Sequence, residues 1–569
     1  MKYLSIFLIL FCTQDASAQL MSKKNAVTHA DTIRGTYNKN RSWWNVTHYD
    51  LDFRPDYGTK TISGSNEITF QVLPEASFSS NSETKISQGE IIIEKPGDNQ
   101  KLQLDLQAPM QLDSVIFKGQ KLAFERMGQA YLISFPEKIR PEEKIAIKTY
   151  FHGKPREAVM PPWDGGLIWS TDDLGNPWVS VACQGLGASA WWPCKDHGLD
   201  EPDAGATISI VAPANMVAVS NGSLKNIFPG DNYNTYQWDV KSPINSYNVT
   251  MNIGKYNKFE DVYNGLKGPL RLEFWFLEQH AEQAKAHLLD ETKEMLKIFE
   301  YWFGAYSFYE DGYKLIETPF LGMEHQSGIA YGNKFKKGYL GSDLSGSGWG
   351  KNWDYILVHE SGHEWFGNNV SVKDVADMWI HEGFTTYSEV LFVESRYGKK
   401  AADEYAKGLR RNIQNDKPII GEYNINREGS GDMYFKGVQI IHMYRRMLNN
   451  DSTFRRFLHE MNRQYGHKTT TTYEVEALMQ SYMPNIDLKP FFDVYLRGTA
   501  IPLLQTRWSN IGLELRFFDV PKGFHMPVGF IVNNTPHYMT VSDRWTKTSI
   551  KAAGNERKVL PTPDFYVRM

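Results

Sequence analysis

Two short stretches of this chain combine residue types that can bind a metal ion and activate water. The first, His359-Glu360-Ser361-Gly362-His363, has the pattern H-E-x-x-H, and Glu382 follows it. On a helix, residues i and i+4 lie on one face, so His359 and His363 can reach a single ion. Imidazole and carboxylate suit Zn²⁺, and a catalytic zinc takes three protein ligands and one water. The pattern predicts one Zn²⁺ per chain, held by His359, His363 and Glu382, with Glu360 beside the water.

The alternative without a function is a surface helix whose two histidines bind no metal. A Glu at the right later position lowers the chance of a random match to about a tenth of a per cent, so we favour the metal site. The gap between His363 and Glu382 leaves room for a loop and a second helix that returns the carboxylate to the metal. His381 points about 100° away from Glu382 on such a helix, so we do not expect it to bind the metal. It is expected either to contact a ligand from behind or to line the wall of the site. Glu389, on the same face as Glu382, either orients a ligand or faces solvent.

The elements around this motif change character along the chain. From residue 46 to 268, apolar residues alternate with polar ones, as in Tyr49-Leu51-Phe53, which is typical of a large antiparallel β domain. Helical spacing between Glu282 and Phe303 and the zinc motif mark a second domain, residues 269–500. Short strands return after it, so residues 501–569 are predicted to form a small C-terminal β-sandwich. The expected fold class is therefore multidomain α+β.

Composition and the first residues point to an exported enzyme. The net charge is −4 without a Lys/Arg run, which argues against a nucleic-acid partner, and no apolar stretch approaches the length of a transmembrane span. Residues 1–18 resemble a signal peptide that ends in Ala16-Ser17-Ala18, followed by a leader, residues 19–45. Phe11 before Cys12 is too bulky for a lipoprotein signal, so we expect a periplasmic or secreted protein. Cys183 and Cys194 could form a disulfide or remain buried thiols.

Further motifs occur in a fixed order around the zinc motif. They include Gln184, Trp192-Pro193-Cys194-Lys195-Asp196, the segment Asn215 to Gly222, Gly322-Met323-Glu324-His325-Gln326, Trp365-Phe366-Gly367-Asn368, Met378 to Phe384, Tyr434-Phe435-Lys436-Gly437 and Leu496-Arg497-Gly498. Together they resemble the zinc aminopeptidases of the aminopeptidase N and leukotriene hydrolase family, which are gluzincin metallopeptidases. The resemblance covers most of residues 46 to 504 and implies a thermolysin-like catalytic domain.

The resemblance also implies roles for individual residues. Glu360 matches the general base, and Tyr434 matches the tyrosine that stabilises the oxyanion. Glu324, in the segment that begins with Gly322 and Met323, matches the carboxylate that binds the free α-amine of the substrate. Gln184 matches a residue of the N-terminal domain that also touches this amine. An ammonium held at a fixed distance from the metal selects the first peptide bond, so Glu324 indicates an aminopeptidase.

The chain also departs from the family pattern. His325 stands where the family usually has Asn, and Phe320-Leu321 precede Gly322. With only some 70 residues after Pro502, we expect a short form without the large C-terminal helical domain. The expected function is hydrolysis of N-terminal residues from peptides by a monomer. Alternatives are a zinc endopeptidase and a catalytically weak peptide-binding surface protein on the same scaffold.

Overall fold

A computed structural model describes residues 27–74, 83–86, 91–96, 100–141, 143–510, 512–551 and 558–569. The predicted signal peptide, residues 1–18, lies outside these residues, so it and the export that it implies stay predictions. Within the described part of the chain, no helix is long and apolar enough to cross a membrane.

The N-terminal domain is built from β-sheets, as the alternating pattern predicts. Its eight-stranded sheet is antiparallel except where the strands Trp44–Asp56 and Ala206–Pro213 pair in parallel. In order, this sheet contains Ser223–Phe228, Tyr233–Val240, Ala206–Pro213, Trp44–Asp56, Thr61–Val72, Lys144–Gly153, Gln111–Phe117 and Gln120–Lys121. Smaller sheets complete the domain, with strands Gly166–Thr171, Pro177–Ala182, Asn252–Gly254 and Val217–Val219 in one, Lys101–Asp105, Ala130–Ser134 and Ala123–Met127 in another, and Glu83–Ile86 with Ile91–Glu94 in a third.

A five-stranded sheet carries the helices of the catalytic domain. Its strands, in order, are Tyr256–Gly265, Gly268–Leu277, Tyr313–Glu317, Ile329–Tyr331 and Gly322–Met323. The first of these strands lies before residue 268, where the sequence places the end of the N-terminal domain. It belongs to this sheet because it pairs along its whole length with the second strand. The edge strand Gly322–Met323 runs antiparallel to its neighbour and leads directly into Glu324.

Nine α-helices occur in the described residues, eight of them in the catalytic domain. They are α1 His29–Gly35, α2 Ala281–Phe303, α3 Tyr355–Gly362, α4 Trp379–Tyr397, α5 Lys399–Leu409, α6 Phe435–Leu448, α7 Asp451–Tyr465, α8 Thr472–Ser481 and α9 Lys489–Tyr495. The apolar residues that recur at helical spacing along α2 are fully buried, namely Leu288, Met295, Leu296 and Phe299. A parallel pair of strands, Val370–Val372 and Lys468–Thr470, closes this domain.

The C-terminal residues form two three-stranded sheets that share the hydrophobic core of the catalytic domain. One contains Leu503–Ser509, Gly512–Phe518 and Thr546–Lys547, and the other contains Thr535–Ser542, His525–Val532 and Val559–Pro561. Leu513, Leu515, Val528 and Phe530 belong to the same buried cluster as the side chains of α4 and α6. These sheets therefore brace the helices behind the zinc motif.

The N-terminal domain docks onto the loop that follows Glu324. Asn221 Nδ2 donates to the carbonyl of Gln326 over 2.7 Å, and the amide of Gly222 donates to Ser327 Oγ over 2.8 Å. The buried Lys314 ammonium lies between them and donates to the carbonyls of Ser220 and Ser327, each over 3.1 Å. A buried ammonium group needs hydrogen-bond acceptors, so these bonds fix the N-terminal domain against the loop that follows Glu324. Residues of the N-terminal domain can therefore reach the zinc motif.

The described part of the predicted leader is ordered and joins the two domains. A capping box between Thr28 and Asp31 starts α1. The Asp31 carbonyl accepts a hydrogen bond of 3.1 Å from the amide of Asn426 in the catalytic domain. Arg34 lies 3.4 Å from Asp196 of the N-terminal domain. Residues 27–45 of the leader thus contact both domains and link them.

Candidate active site

Two helices bring the predicted metal ligands together. Asp354 caps α3 by accepting a hydrogen bond of 3.1 Å from the Leu357 amide, which starts the helix one turn before His359. His363 follows the last residue of α3, and Glu382 lies in the first turn of α4. Glu382 Oε2 lies 3.8 Å from His359 Nε2 and 3.4 Å from His363 Nε2. All three side chains are buried, and their ligand atoms lie within 4.8 Å of one another.

The contacts of these three side chains leave atoms free to bind a cation. Glu382 Oε2 is buried and has no hydrogen-bond partner in the described residues, an arrangement that is costly for a carboxylate unless an ion compensates it. Each histidine uses Nδ1 for a protein contact, with Glu389 for His359 and the Phe366 carbonyl for His363. Both Nε2 atoms are therefore left for a metal. Two imidazoles and one carboxylate are a donor set of catalytic zinc.

The side chain of Glu389 is turned away from solvent and toward His359. Its side chain is fully buried, its Oε1 lies 2.6 Å from His359 Nδ1, and its Oε2 accepts a hydrogen bond of 2.7 Å from the Tyr405 hydroxyl. A carboxylate behind a histidine ligand fixes the ring orientation and makes the ligand more basic.

We expect Glu389→Gln to weaken zinc affinity about 10- to 100-fold, because the amide orients the ring but no longer polarises it. Zinc occupancy measured during titration with a competing chelator gives this value. Glu404→Gln, which changes an exposed carboxylate on α5, is the matched control. Equal zinc affinities of the Glu389→Gln variant and the wild-type chain would contradict the orienting role.

Glu360 lies next to the ligands in an environment that suits a proton acceptor. Burial raises the pKa of Glu360 to about 7, against the opposing effect of His359 and His363. Gly322 packs directly against it: a Cβ on Gly322 would lie 2.8 Å from Glu360 Oε1. A larger residue at position 322 would displace the carboxylate, which is a physical reason for glycine there.

A second carboxylate, Glu324, faces the same space and is held by two neutral donors. Gln184 Nε2 donates to Glu324 Oε1 over 2.6 Å and to Glu382 Oε1 over 3.0 Å, so one amide joins the two carboxylates. The Tyr247 hydroxyl donates to Glu324 Oε1 over 3.0 Å. Burial raises the pKa of Glu324, and no cation forms an ion pair with it in the described residues. This carboxylate is placed to receive a positively charged group.

Tyr434 approaches the metal site from the start of α6. Its ring lies 6.1 Å from the ring of His359, and the nearby Gly437 allows α6 to pack closely on α4. A Cβ on Gly437 would lie 2.8 Å from the Cα of Gly383. Gly437 thus permits the close approach of α6, which begins after Tyr434, to α4, which carries Glu382.

Nine of the ten predicted site residues line one small pocket, and Glu389 lies behind it. They are Gln184, Gly322, Met323, Glu324, His359, Glu360, His363, Glu382 and Tyr434. The pocket opens beside Glu360 and Tyr434 into a cavity of 320 Å³ that is lined by Ile356, Phe435 and other residues. Pro162 and Trp163 of the N-terminal domain line both spaces.

Two residues at this site, Tyr247 and Trp163, are not identified by any sequence pattern. Tyr247 lies in the 3₁₀ helix Ser246–Asn248 and Trp163 in a turn of the β domain, both far along the chain from the zinc motif, and no motif or periodicity marks them. Other expectations have clear outcomes: Cys183 and Cys194 are free buried thiols, and His381 is a buried wall residue. His325 is buried with both ring nitrogens unpartnered among the described residues, and burial lowers its pKa to about 3.

Comparison with known proteins finds two family models on this chain. Residues 45–248 match the peptidase M1 N-terminal domain, and residues 287–495 match the peptidase family M1 domain. Leukotriene A-4 hydrolase of Xenopus laevis is 22% identical over 490 residues, which is 82% of this chain and 73% of that protein. Aminopeptidase B of Rattus norvegicus is 24% identical over 400 residues, but this chain covers 55% of its length. The crystal structure of an M1 zinc metallopeptidase from Deinococcus radiodurans has the same fold, with a TM-score of 0.66 at 19% identity over 83% of this chain and 98% of that one.

Proposed function

The chain belongs to peptidase family M1, and from this premise we propose that it is a zinc aminopeptidase that removes N-terminal residues from peptides. His359, His363 and Glu382 would hold the zinc ion. Glu360 would be the general base, and Tyr434 would stabilise the oxyanion. Glu324 and Gln184 would bind the free α-amine, beside a backbone wall formed by Gly322 and Met323.

The observation that carries this proposal is the position of Glu324. Its carboxylate is buried, bonded to the neutral donors Gln184 and Tyr247, and joined through Gln184 to Glu382. A buried carboxylate without a cationic partner is unfavourable, and the ammonium group of a substrate would supply that partner. Glu324, Glu360 and His363 also have ligand atoms within 4.8 Å of one another. An amine bound at Glu324 therefore presents the first peptide bond to Glu360, and later bonds lie too far away.

The protein groups divide the reaction between them. Zinc, when bound, acts as a Lewis acid that polarises the scissile carbonyl and makes water more acidic. Glu360 accepts the proton of the attacking water and passes it to the leaving nitrogen, a role that suits a pKa near the working pH. The Tyr434 hydroxyl donates a hydrogen bond to the carbonyl oxygen as negative charge develops on it.

A pair of peptides that differ at the amino terminus tests the reaction class. We expect the free peptide to lose its first residue and the acetylated peptide to remain intact, because acetylation removes the charge that Glu324 binds. Mass spectrometry of products with and without a chelator gives both results. Cleavage of both peptides at internal bonds would favour the endopeptidase, and zinc-replete protein that binds peptides without cleaving them would favour the peptide-binding alternative.

The matched variant of this experiment is Glu324→Gln. We expect its kcat/KM for the free peptide to fall roughly a hundredfold, because the ammonium loses its charged partner in a buried site. Glu310→Gln, at an exposed carboxylate of the same domain, should leave kcat/KM unchanged. If Glu324→Gln retained the wild-type value, another group would have to bind the amine.

A further inference from the structure

A third cavity, of 60 Å³, lies on the amine side of the pocket. Gln184 and Tyr247, which donate to Glu324, form one part of its wall, and His381, beside the ligand Glu382, forms another. The 320 Å³ cavity instead adjoins the pocket at Glu360 and Tyr434. A peptide with its amine at Glu324 and its first carbonyl at Tyr434 would thus point its first side chain toward the 60 Å³ cavity.

One acidic side chain that lines this cavity is Glu428. Glu428, in the loop that leads to Tyr434, forms no hydrogen bond or ion pair with any residue that the structure describes. Burial raises its pKa to about 7, the charge of Glu382 acts in the same direction, and the exposed Lys417 acts against both without forming an ion pair with it in the described residues. The apolar side chains of Val375, Met378 and Ile425 line the same space. A long aliphatic chain that ends in a cation would match both features.

The other charged groups of this cavity are already engaged. Arg34 lies 3.4 Å from Asp196, and Lys373 donates to Glu474 over 2.8 Å. The Asp374 carboxylate accepts hydrogen bonds from two backbone amides, one in the turn before α4 and one at Asn424. Glu428 is therefore the charge in the described wall that remains available to a ligand.

The size of the cavity sets a limit on the side chain. A water needs roughly 10–15 Å³ of such volume, so 60 Å³ holds about four to six atoms of that size. This is about the number of heavy atoms that a lysine side chain carries beyond Cα. The ring of phenylalanine or tryptophan needs more space.

We propose that Glu428 determines specificity for the first side chain of the substrate and selects peptides that begin with lysine or a similarly sized basic residue. The carboxylate pairs with the side-chain cation, while Met378 and Val375 contact the aliphatic stem. The α-amine is bound separately at Glu324. This inference rests on the proposed aminopeptidase function and adds the substrate class to it.

Lysine and norleucine provide a matched substrate pair, because norleucine has the same unbranched stem without the ammonium group. With aminoacyl fluorogenic substrates and zinc-replete protein, we expect wild-type kcat/KM to be at least about tenfold higher for the lysine substrate, as expected for a close pair of opposite charges in a partly buried site. Glu428→Gln should lower kcat/KM for lysine about tenfold or more and leave the value for norleucine nearly unchanged. Glu422→Gln, at an exposed carboxylate of the same loop, is the control and should keep the wild-type preference.

The outcomes separate this inference from the proposed function. Hydrolysis of neither substrate by zinc-replete wild-type protein would contradict the aminopeptidase itself. Hydrolysis of both with equal or higher kcat/KM for norleucine, or a lysine preference that survives Glu428→Gln, would overturn the role of Glu428 alone. A loss of both activities in Glu428→Gln at an unchanged unfolding temperature would assign Glu428 to catalysis and likewise overturn the specificity role.

Discussion

Replacing Glu360 by glutamine is expected to lower kcat about a thousandfold, within the range of about 10²–10⁴ that general-base catalysis contributes. Glutamine keeps the size of the side chain and its contact with Gly322 but cannot accept a proton. Because Glu360 is buried and its pKa is raised to about 7, a neutral amide should not destabilise the fold. Turnover of an aminoacyl fluorogenic substrate measures the effect.

Two accompanying measurements make this result specific to the base. Zinc content should remain at one ion per chain, because His359, His363 and Glu382 are untouched. The unfolding temperature should stay close to that of the wild-type protein. Undiminished turnover in a zinc-replete Glu360→Gln sample would show that another group accepts the proton, and the mechanism would then be wrong.

Removing the hydroxyl of Tyr434 is expected to have the second largest effect. Tyr434→Phe should lower kcat about 10²–10³-fold, the loss measured when a donor to a developing oxyanion is removed. KM should change little, since the hydrogen bond strengthens in the transition state. Steady-state kinetics on one substrate separates the two parameters.

Tyr339→Phe provides the comparison for this variant. Tyr339 lines the same 320 Å³ cavity but does not line the small pocket that holds the zinc-binding residues. We expect the loss of kcat on removal of the Tyr339 hydroxyl to be at least tenfold smaller than the loss in Tyr434→Phe. Similar losses in both variants would indicate that tyrosine hydroxyls act on the shape of the cavity, and the oxyanion role of Tyr434 would fail.

The local spacing of apolar residues predicts many of the strands and helices. Alternation predicts the strands that contain Tyr49-Leu51-Phe53 and Leu513-Leu515-Phe517, and helical spacing predicts α2, because side-chain direction repeats with the period of each element. The first strand of the catalytic sheet could not be assigned to its domain from the sequence. Tyr256–Gly265 has the same alternation as the strands before it, and only its pairing with Gly268–Leu277 places it in the catalytic sheet.

The sequence by itself supplied the family resemblance and the residues on which the proposed chemistry rests. H-E-x-x-H needs just the pitch of one helix to bring His359 and His363 together, and a few further motifs supply Glu382, Glu324 and Tyr434. The tertiary structure decided what surrounds them. Tyr247 contacts Glu324 from the 3₁₀ helix Ser246–Asn248, Glu428 lines the adjoining 60 Å³ cavity, and Glu389 is buried behind His359. The physical reason is distance along the chain. A motif encodes contacts within a few residues, whereas the packing of the two domains and of leader residues 27–45 sets contacts between residues hundreds of positions apart.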